Sequence, residues 1–397
     1  MTVFDRAGFH HDYLLKVRRH LHANPELSLK EVNTANFIAA ELEAMGVPFV
    51  RVGAHGLVAT VRGQSDDRMV ALRADIDALP IQEENDDLPY ASRVPGVMHA
   101  CGHDGHTAML LGAAKILLER SSDLQGSVKL CFQQAEEVGK GTSEIKEELA
   151  KYPVESIFGI HLWSELETGL ISVEPGPRMA AVNKVEITVR GVGAHGAYPN
   201  RGVDPIIAAA AIVMNCAAIA SREIDPAAPV TLSFGTISGG SSANVIPEKV
   251  TLSGTLRTTS PQVRAQMIEA IERVARTTAE TYRATAEVVI GTGFGAVINH
   301  PQCSDIARKA AVNLGLEGSL AAFPTLMASE NFADFLEDYP GLFAFIGVRN
   351  ARIGAVYPHH NPKFRIDEDC LALGAALHAQ YAIESLAAPP VVKGSIT

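Results

Sequence analysis

The sequence KVEITVR at residues 184–190 alternates valine and isoleucine with polar side chains. This alternation is typical of a half-buried β-strand. Farther along the chain, the patterns predict a helix, two strands, a helix and a strand over residues 204–221, 230–237, 250–257, 261–283 and 286–291. The order β-α-β-β-α-β is that of a ferredoxin-like α+β unit. We therefore predict that residues 183–293 form an inserted domain.

The sequence on both sides of this segment has a different organisation, in which strand-like and helix-like stretches alternate. Predicted strands cover residues 57–61, 69–74, 127–133, 157–162 and 343–347, and predicted helices cover residues 33–45, 107–120, 304–314 and 367–386. Such alternation indicates a β-sheet with helices on its faces. We predict an α/β domain made of residues 1–182 and 294–397 and interrupted by the insertion.

Composition and charge exclude several classes of protein. The 397 residues include 34 Lys and Arg against 45 Asp and Glu, a net charge of −11, which argues against binding to nucleic acid or anionic membranes. The alanine-rich stretch at residues 205–220 is interpreted as a buried helix of a soluble protein, not a membrane span. Five scattered cysteines and an N-terminus without a secretory signal predict a cytoplasmic protein.

Cysteine, histidine and glutamate residues cluster near the ends of several predicted elements. MHACGHDGH at residues 98–106 contains Cys101 and His103, two positions apart, which an extended segment would point to the same side. Further candidates lie in other segments: Glu136, Glu137, His161, His359 and His360. Taken singly, the two glutamates are better explained as a solvated pair, His161 as a core histidine, and His359 and His360 as part of an ordinary loop. Together they exceed the four ligands of one zinc site and favour a two-metal hydrolytic centre.

The predicted insertion holds three residues suited to binding a substrate. His195 lies between small residues in GAHGAYP at residues 193–199, as close approach of a substrate would require. Asn244 lies in a Gly/Ser-rich loop and Arg257 at a strand end. Together they could hold a carboxylate through amide and bidentate guanidinium hydrogen bonds. The alternative for Arg257 is a surface salt bridge worth less than about 1 kcal/mol.

In several of its motifs, the sequence resembles the amidohydrolase branch of the M20 metallopeptidase clan. The resemblance rests on RHLHANPE at residues 19–26, LRADIDALP at residues 72–80 and the run at residues 99–106, and it extends over nearly the whole chain. The branch includes hippurate hydrolases, N-acyl-L-amino acid amidohydrolases and indole-acetyl-amino acid hydrolases. It implies a zinc-exopeptidase-like α/β/α catalytic domain interrupted by a smaller ferredoxin-like lid and dimerisation domain.

The resemblance also implies a cofactor and its ligands. The cofactor is a pair of divalent metal ions, zinc, manganese, cobalt or nickel. The implied ligands are Cys101, His103, Glu137, His161 and His360. Of the two adjacent histidines, His360 is the one that aligns, because it directly precedes Asn361 and Pro362.

The remaining roles follow from the same resemblance. Glu136 takes the place of the general base, and Asp77 is expected to orient the metal ligands. His195 matches a histidine that polarises the scissile carbonyl, in some relatives across a dimer interface. Asn244 and Arg257 match positions that hold the substrate carboxylate.

The implied reaction is metal-dependent hydrolysis of N-acyl-L-amino acids to a carboxylic acid and a free amino acid. The implied assembly is a homo-oligomer, a dimer or tetramer, formed through the inserted domain. Two alternatives stay open, a dipeptidase or carboxypeptidase of the same clan and a catalytically silent metal-binding member.

Overall fold

The computed structural model describes residues 2–392 of the chain. These residues divide into two compact units. The larger unit contains residues 2–176, 298–324 and 334–392, and the smaller unit contains Pro177–Val297 and Thr325–Ala333. The predicted insertion lies within the first segment of the smaller unit, and its assignment as a lid and dimerisation domain stays a prediction.

The strands and helices are numbered here in chain order. The strands are β1 (Phe49–Val52), β2 (Gly56–Val61), β3 (Met69–Asp75), β4 (Ser127–Gln133), β5 (Val154–Glu167), β6 (Ile171–Ser172), β7 (Gly176–Met179), β8 (Ala181–Arg190), β9 (Ala194–His195), β10 (Val230–Gly239), β11 (Val245–Ile246), β12 (Lys249–Thr258), β13 (Thr285–Ile290), β14 (Val297–Asn299) and β15 (Gly341–Arg349). The helices are α1 (Val3–Phe9), α2 (His11–Ala23), α3 (Val32–Ala44), α4 (His103–Glu119), α5 (Thr142–Leu149), α6 (Pro205–Arg222), α7 (Pro261–Thr281), α8 (Pro301–Asn313), α9 (Ala333–Leu336) and α10 (Cys370–Ala387).

The larger unit is built on a seven-stranded sheet in the order β1-β2-β4-β3-β5-β15-β6. The four central strands, β4, β3, β5 and β15, run parallel, and the outer pairs are antiparallel. Every residue of β3 and β4 is buried, as expected for parallel strands covered by helices on both faces. The α/β class predicted from the sequence is confirmed.

Helices α4 and α10 pack tightly against each other under this sheet. A Cβ atom added at Gly374 would lie 2.0 Å from Met109 Sδ, and one added at Gly112 would lie 2.4 Å from Leu14 Cδ2. Glycine at these positions therefore permits the close approach of α10 and α2 to α4. This packing fixes the N-terminal end of α4, where His103 is the first helical residue.

The smaller unit contains a four-stranded antiparallel sheet in the order β10-β12-β8-β13. Helices α6 and α7 pack against each other and against this sheet. Residues Val185, Ile187 and Val189 of β8 are fully buried, which is the outcome that the alternation in KVEITVR predicts. The observed element order is the predicted β-α-β-β-α-β, with the short strands β9 and β11 added between its members.

Helix α6 differs from its prediction as a buried helix. By length and composition alone, helix α6 could cross a membrane, because its 18 residues have a mean hydropathy of 1.6. Only 33% of these residues are buried in the structure. A single such helix is weak evidence for a membrane span, because core helices pass the same test. Ala208 and Ile212 are buried, whereas Ile207 and Met214 are exposed. The two-layer unit covers one side of the helix only, which explains the difference.

Candidate metal centre and active site

The segment that carries Cys101 and His103 is a tight turn, not the extended segment predicted. Gly102 has φ 91° and caps helix α4, which begins at His103, four positions before its predicted start. Left-handed backbone of this kind favours glycine. The turn nevertheless brings the two side chains to the same site, because their donor atoms belong to one group with His161.

The five predicted ligands form two overlapping groups of donor atoms. The first group is Cys101, His103 and His161, and the second is Cys101, Glu137 and His360; within each group the donor atoms lie within 4.8 Å of one another. The structure therefore brings together all five residues predicted as ligands. Cys101 belongs to both groups, and overlapping donor groups of this kind support the presence of two divalent metal ions.

The chemistry of these donors fits divalent metal ions. His103 Nε2 and Glu137 Oε1 are buried and have no hydrogen-bond partner among the described residues. They lie 3.9 Å apart, and Cys101 Sγ lies 3.6 Å from His161 Nε2. Buried polar atoms without partners are costly, and a thiolate, imidazoles and a carboxylate together suit zinc and similar ions.

Asp77 lies directly behind this site and contacts two of its members. His103 Nδ1 lies 3.0 Å from the Asp77 carbonyl oxygen and 3.2 Å from Asp77 Oδ1. Asp77 Oδ2 accepts hydrogen bonds from the backbone N–H of Glu137 at 3.0 Å and from the Ser28 hydroxyl at 2.7 Å. An Nδ1–H donated to Asp77 leaves the Nε2 lone pair of His103 for a metal ion, the usual role of a carboxylate beside a ligating histidine.

Glu136 and Glu137 lie in a 3-10 turn, Glu136–Val138, immediately after β4. Ala135 precedes this turn with φ 58°, and its backbone N–H donates to Glu31 Oε1 at 2.8 Å. Glu136 is 9% exposed, and it forms a further group of possible ligands with His103 and Glu137. The predicted general base therefore lies beside the predicted ligands.

Burial and neighbouring charges shift the titration of several site residues. Burial, together with the Glu137 carboxylate, raises the pKa of the Cys101 thiol well above its usual value. Burial opposes a proton on His103, but the Asp75 carboxylate, Cys101 and the hydrogen bond to Asp77 together raise the pKa of this imidazole well above its usual value. Burial lowers the pKa of His161 well below its usual value. His161, one of the predicted ligands, is therefore held neutral, the form in which imidazole binds metal ions.

Sequence reasoning gave no role to Asp75 and His106, which adjoin the predicted ligands, and it set aside His359 in favour of His360. His106 Nδ1 lies 2.6 Å from Asp75 Oδ1, and His359 Nε2 lies 2.9 Å from the Leu162 carbonyl oxygen. The sequence does contain a signal for Asp75 and His106. Asp75 precedes Asp77 by two positions at the end of a strand, and His106 follows His103 by three positions, the spacing of neighbours on a helix.

His195 and Asn244 come together in the smaller unit. Strands β9 and β11 pair so that His195 lies opposite Val245, and the Gly196 backbone N–H donates to the Asn244 carbonyl oxygen at 2.8 Å. Both His195 and Asn244 are exposed. The third predicted substrate-binding residue, Arg257, lies on β12, half-buried, and donates from Nη1 to the Met327 carbonyl oxygen at 2.8 Å.

Comparison with known proteins identifies close relatives over most of the chain. A family model described as peptidase family M20/M25/M40 matches residues 71–384. The chain is 37% identical to thermostable carboxypeptidase 1 of Saccharolobus solfataricus, covering 94% of this chain and 95% of the relative. It is 39% identical to N-acetyl-L-cysteine deacetylase of Bacillus subtilis, covering 90% and 84%. It is 38% identical to an IAA-amino acid hydrolase of Arabidopsis thaliana, covering 97% and 88%.

Solved structures agree with the sequence relatives. A dinuclear metal-binding peptidase of the M20 family from Bacillus subtilis superposes with a TM-score of 0.84 at 35% identity, covering 94% of this chain and 97% of that chain. The family match and the two donor groups support two divalent metal ions and a metal-dependent hydrolase of the amidohydrolase and peptidase type. The chain belongs to peptidase family M20/M25/M40.

Proposed function

We propose that this protein hydrolyses the amide bond of N-acyl-L-amino acids, including hippurate-like substrates, to a carboxylic acid and a free amino acid. The observation that carries the proposal is the pair of donor groups that share Cys101 and adjoin Glu136. The relatives add support, because one is named as an N-acetyl-L-cysteine deacetylase and another as an IAA-amino acid hydrolase.

The proposed ligands are Cys101, His103, Glu137, His161 and His360. Two divalent metal ions held there would supply a water molecule of lowered pKa and a Lewis acid for the substrate carbonyl. Zinc, manganese, cobalt and nickel are the proposed ions, because imidazole and carboxylate suit all four and the thiolate favours zinc. Asp77 would hold His103 in the tautomer that presents Nε2 to the ions.

Glu136 is the proposed general base. It would accept a proton from the attacking water and deliver it to the leaving nitrogen, so that the amine leaves neutral. Its backbone position supports this role, because the 3-10 turn after β4 holds Glu136 next to Glu137 at a buried end of the sheet.

The smaller unit is proposed to supply substrate contacts. His195 Nδ1 accepts a hydrogen bond from the Ala197 backbone N–H at 3.1 Å, so the proton of the neutral ring is on Nε2. Nε2–H would then donate to the oxyanion that develops during hydrolysis. Arg257 and Asn244 would bind the substrate carboxylate through guanidinium and amide hydrogen bonds.

A second candidate function is cleavage of peptides as a carboxypeptidase or dipeptidase. The 37% identity to a thermostable carboxypeptidase favours it. A third, a catalytically silent metal-binding protein, is the least supported, because Glu136 and the donor groups are all present.

One assay separates these candidates. The protein is stripped of metal, reconstituted separately with zinc, manganese, cobalt or nickel, and offered two panels. The first panel holds benzoyl, acetyl and indole-acetyl derivatives of glycine, alanine, leucine and glutamate, and the second holds dipeptides of the same residues. Faster amino-acid release from the acyl panel supports the proposal, faster release from dipeptides supports the peptidase, and silence on both panels with metal bound supports the silent member.

We also propose a homo-oligomer, a dimer or tetramer, formed through the smaller unit. Strand β10 lies at the edge of its sheet, and exposed edges are surfaces on which a second chain can pair. The neighbouring helix α6 exposes Ile206, Ile207 and Met214, an apolar surface of the kind that interfaces cover. A cytoplasmic location completes the proposal, since the five cysteines are unpaired thiols, as a reducing compartment favours.

A further inference from the structure

The backbone N–H and carbonyl oxygen of Leu162, one residue after the proposed ligand His161, are bound by three histidine side chains. Its N–H donates to His106 Nε2 at 2.9 Å. Its carbonyl oxygen accepts from His161 Nδ1 at 2.8 Å and from His359 Nε2 at 2.9 Å. The backbone of Leu162 therefore connects His106, His161 and His359 through hydrogen bonds to both of its polar atoms.

These contacts determine where each imidazole carries its proton. A carbonyl oxygen only accepts, so His161 donates from Nδ1 and His359 donates from Nε2. His161 Nε2 is then left with a lone pair directed toward Cys101 Sγ, 3.6 Å away. His359 Nδ1 accepts from the Ser164 hydroxyl at 3.2 Å, which completes the hydrogen bonding of that ring.

His359 also fixes the next residue along the chain, the proposed ligand His360. His360 has φ 63°, a left-handed conformation that is unfavourable for a non-glycine residue. Two anchors hold it there. The His360 backbone N–H donates to the Ala100 carbonyl oxygen at 2.9 Å, and the side chain of His359 donates to the Leu162 carbonyl oxygen. Without the His359 side chain, the loop loses its hydrogen bonds to Leu162 and Ser164 of strand β5.

We propose that His359 is a positioning residue that sets the spacing between the two metal-binding groups. Its hydrogen bond to Leu162 joins the loop of His360, in the second donor group, to the strand of His161, in the first. His359 belongs to neither donor group, and it acts through the placement of these two histidines. The inference rests on the proposed ligand set, and it predicts that loss of His359 weakens binding of one ion more than the other.

The first test compares zinc binding to the metal-free protein and its variants by competition with a coloured chelator. His359→Leu removes the donor to the Leu162 carbonyl oxygen, whereas His359→Gln keeps an N–H donor of similar reach. The inference predicts that His359→Leu lowers the affinity for one of the two zinc ions by about tenfold or more, the usual effect of losing a group that orients a ligand. It predicts that His359→Gln restores the affinity, and that the visible spectrum of the cobalt form changes in His359→Leu alone.

Matched controls separate positioning from folding. His300→Leu replaces another half-buried histidine, which caps helix α8 and belongs to no donor group, and it is expected to bind two zinc ions as the wild type does. Thermal unfolding of the metal-free variants gives their stabilities. Wild-type zinc affinities in His359→Leu would overturn the inference. So would equal weakening in the Leu and Gln variants accompanied by a lower Tm of both metal-free proteins.

The result is distinguishable from failure of the proposed function. Wild-type protein that binds two zinc ions but cleaves no N-acyl amino acid contradicts the proposed substrate class, and the His359 comparison then still decides the positioning role. Wild-type protein that binds no zinc contradicts the ligand set and the role of His359 together.

Discussion

Asp77 and His103 form a buried pair in which the imidazole Nδ1 lies 3.2 Å from the carboxylate Oδ1. The opposite nitrogen of the ring, Nε2, is buried and has no hydrogen-bond partner among the described residues. Burial opposes ionisation of Asp77, but His103, the Ser28 hydroxyl and the Glu137 backbone N–H together lower the pKa of this carboxyl below its usual value. The pair therefore presents one nitrogen of His103 toward the other donor atoms.

The first prediction concerns Asp77 itself. Asp77→Ala removes the group that orients His103 and that accepts from the Glu137 backbone N–H. We expect zinc affinity to fall by about 10- to 100-fold, the usual range for the loss of such a group. Chelator competition measures the affinity, and Asp67→Ala, at an exposed carboxylate outside the donor groups, is the matched control. Unchanged affinity in Asp77→Ala would show that Asp77 does not orient the ligand.

The second prediction tests the general base. Glu136→Gln keeps the size of the side chain but cannot accept a proton, so kcat should fall by at least about 100-fold while two metal ions stay bound. Steady-state kinetics and metal analysis of the same preparation measure both quantities. Glu147→Gln on the exposed side of α5 should retain wild-type kcat. Turnover of Glu136→Gln within a few-fold of wild type would assign the base to another residue.

The third prediction is a pH dependence of metal binding. Burial raises the pKa of Cys101 well above its usual value, so the thiol keeps its proton at neutral pH when no metal is bound. A metal ion must displace this proton, and the apparent affinity should therefore rise as the pH rises toward that pKa. Calorimetry in buffers of different ionisation enthalpy measures the protons released. Cys101→Ser should lower the affinity for both metal ions, because Cys101 belongs to both donor groups. Retention of both ions by Cys101→Ser contradicts the shared ligand.

The fourth prediction concerns assembly. Met214 is 73% exposed on α6, and Met214→Asp should shift the protein to a mass near the 42.3 kDa of one chain, because a charge is costly in an apolar interface. Light scattering after gel filtration measures the mass. Phe9 is 74% exposed in the larger unit, and Phe9→Asp should leave the wild-type mass unchanged. A wild-type mass of one chain would contradict assembly through the smaller unit.

Much of the fold could be predicted because its elements carry strong local patterns. Val185, Ile187 and Val189 alternate in sequence and are buried together in the structure. The start of α4 could not be predicted in the same way, since the left-handed turn at Gly102 is followed by two histidines and a glycine that have low helix propensity. The partly exposed state of α6 depends on how many layers the smaller unit has, which the sequence of α6 does not specify.

The candidate site was only partly predictable. Candidate ligands could be recognised because cysteine, histidine and glutamate are conspicuous at predicted strand and helix ends, and the resemblance to the M20 clan selected five of them. The hydrogen bond between His359 and the Leu162 carbonyl oxygen joins residues far apart in sequence, and one partner is a backbone atom. Backbone acceptors leave no mark on the sequence, so such contacts require the structure.

The most direct test of the proposed function is the release of glycine from benzoylglycine by the metal-free protein and by the same protein after zinc, manganese, cobalt or nickel is added. Glycylglycine serves as the peptide comparison. The proposed function predicts no release without metal, release after addition of at least one ion, and a higher kcat/KM for benzoylglycine than for glycylglycine. Preferred cleavage of glycylglycine by the reconstituted protein would contradict it, as would cleavage of benzoylglycine that is independent of metal.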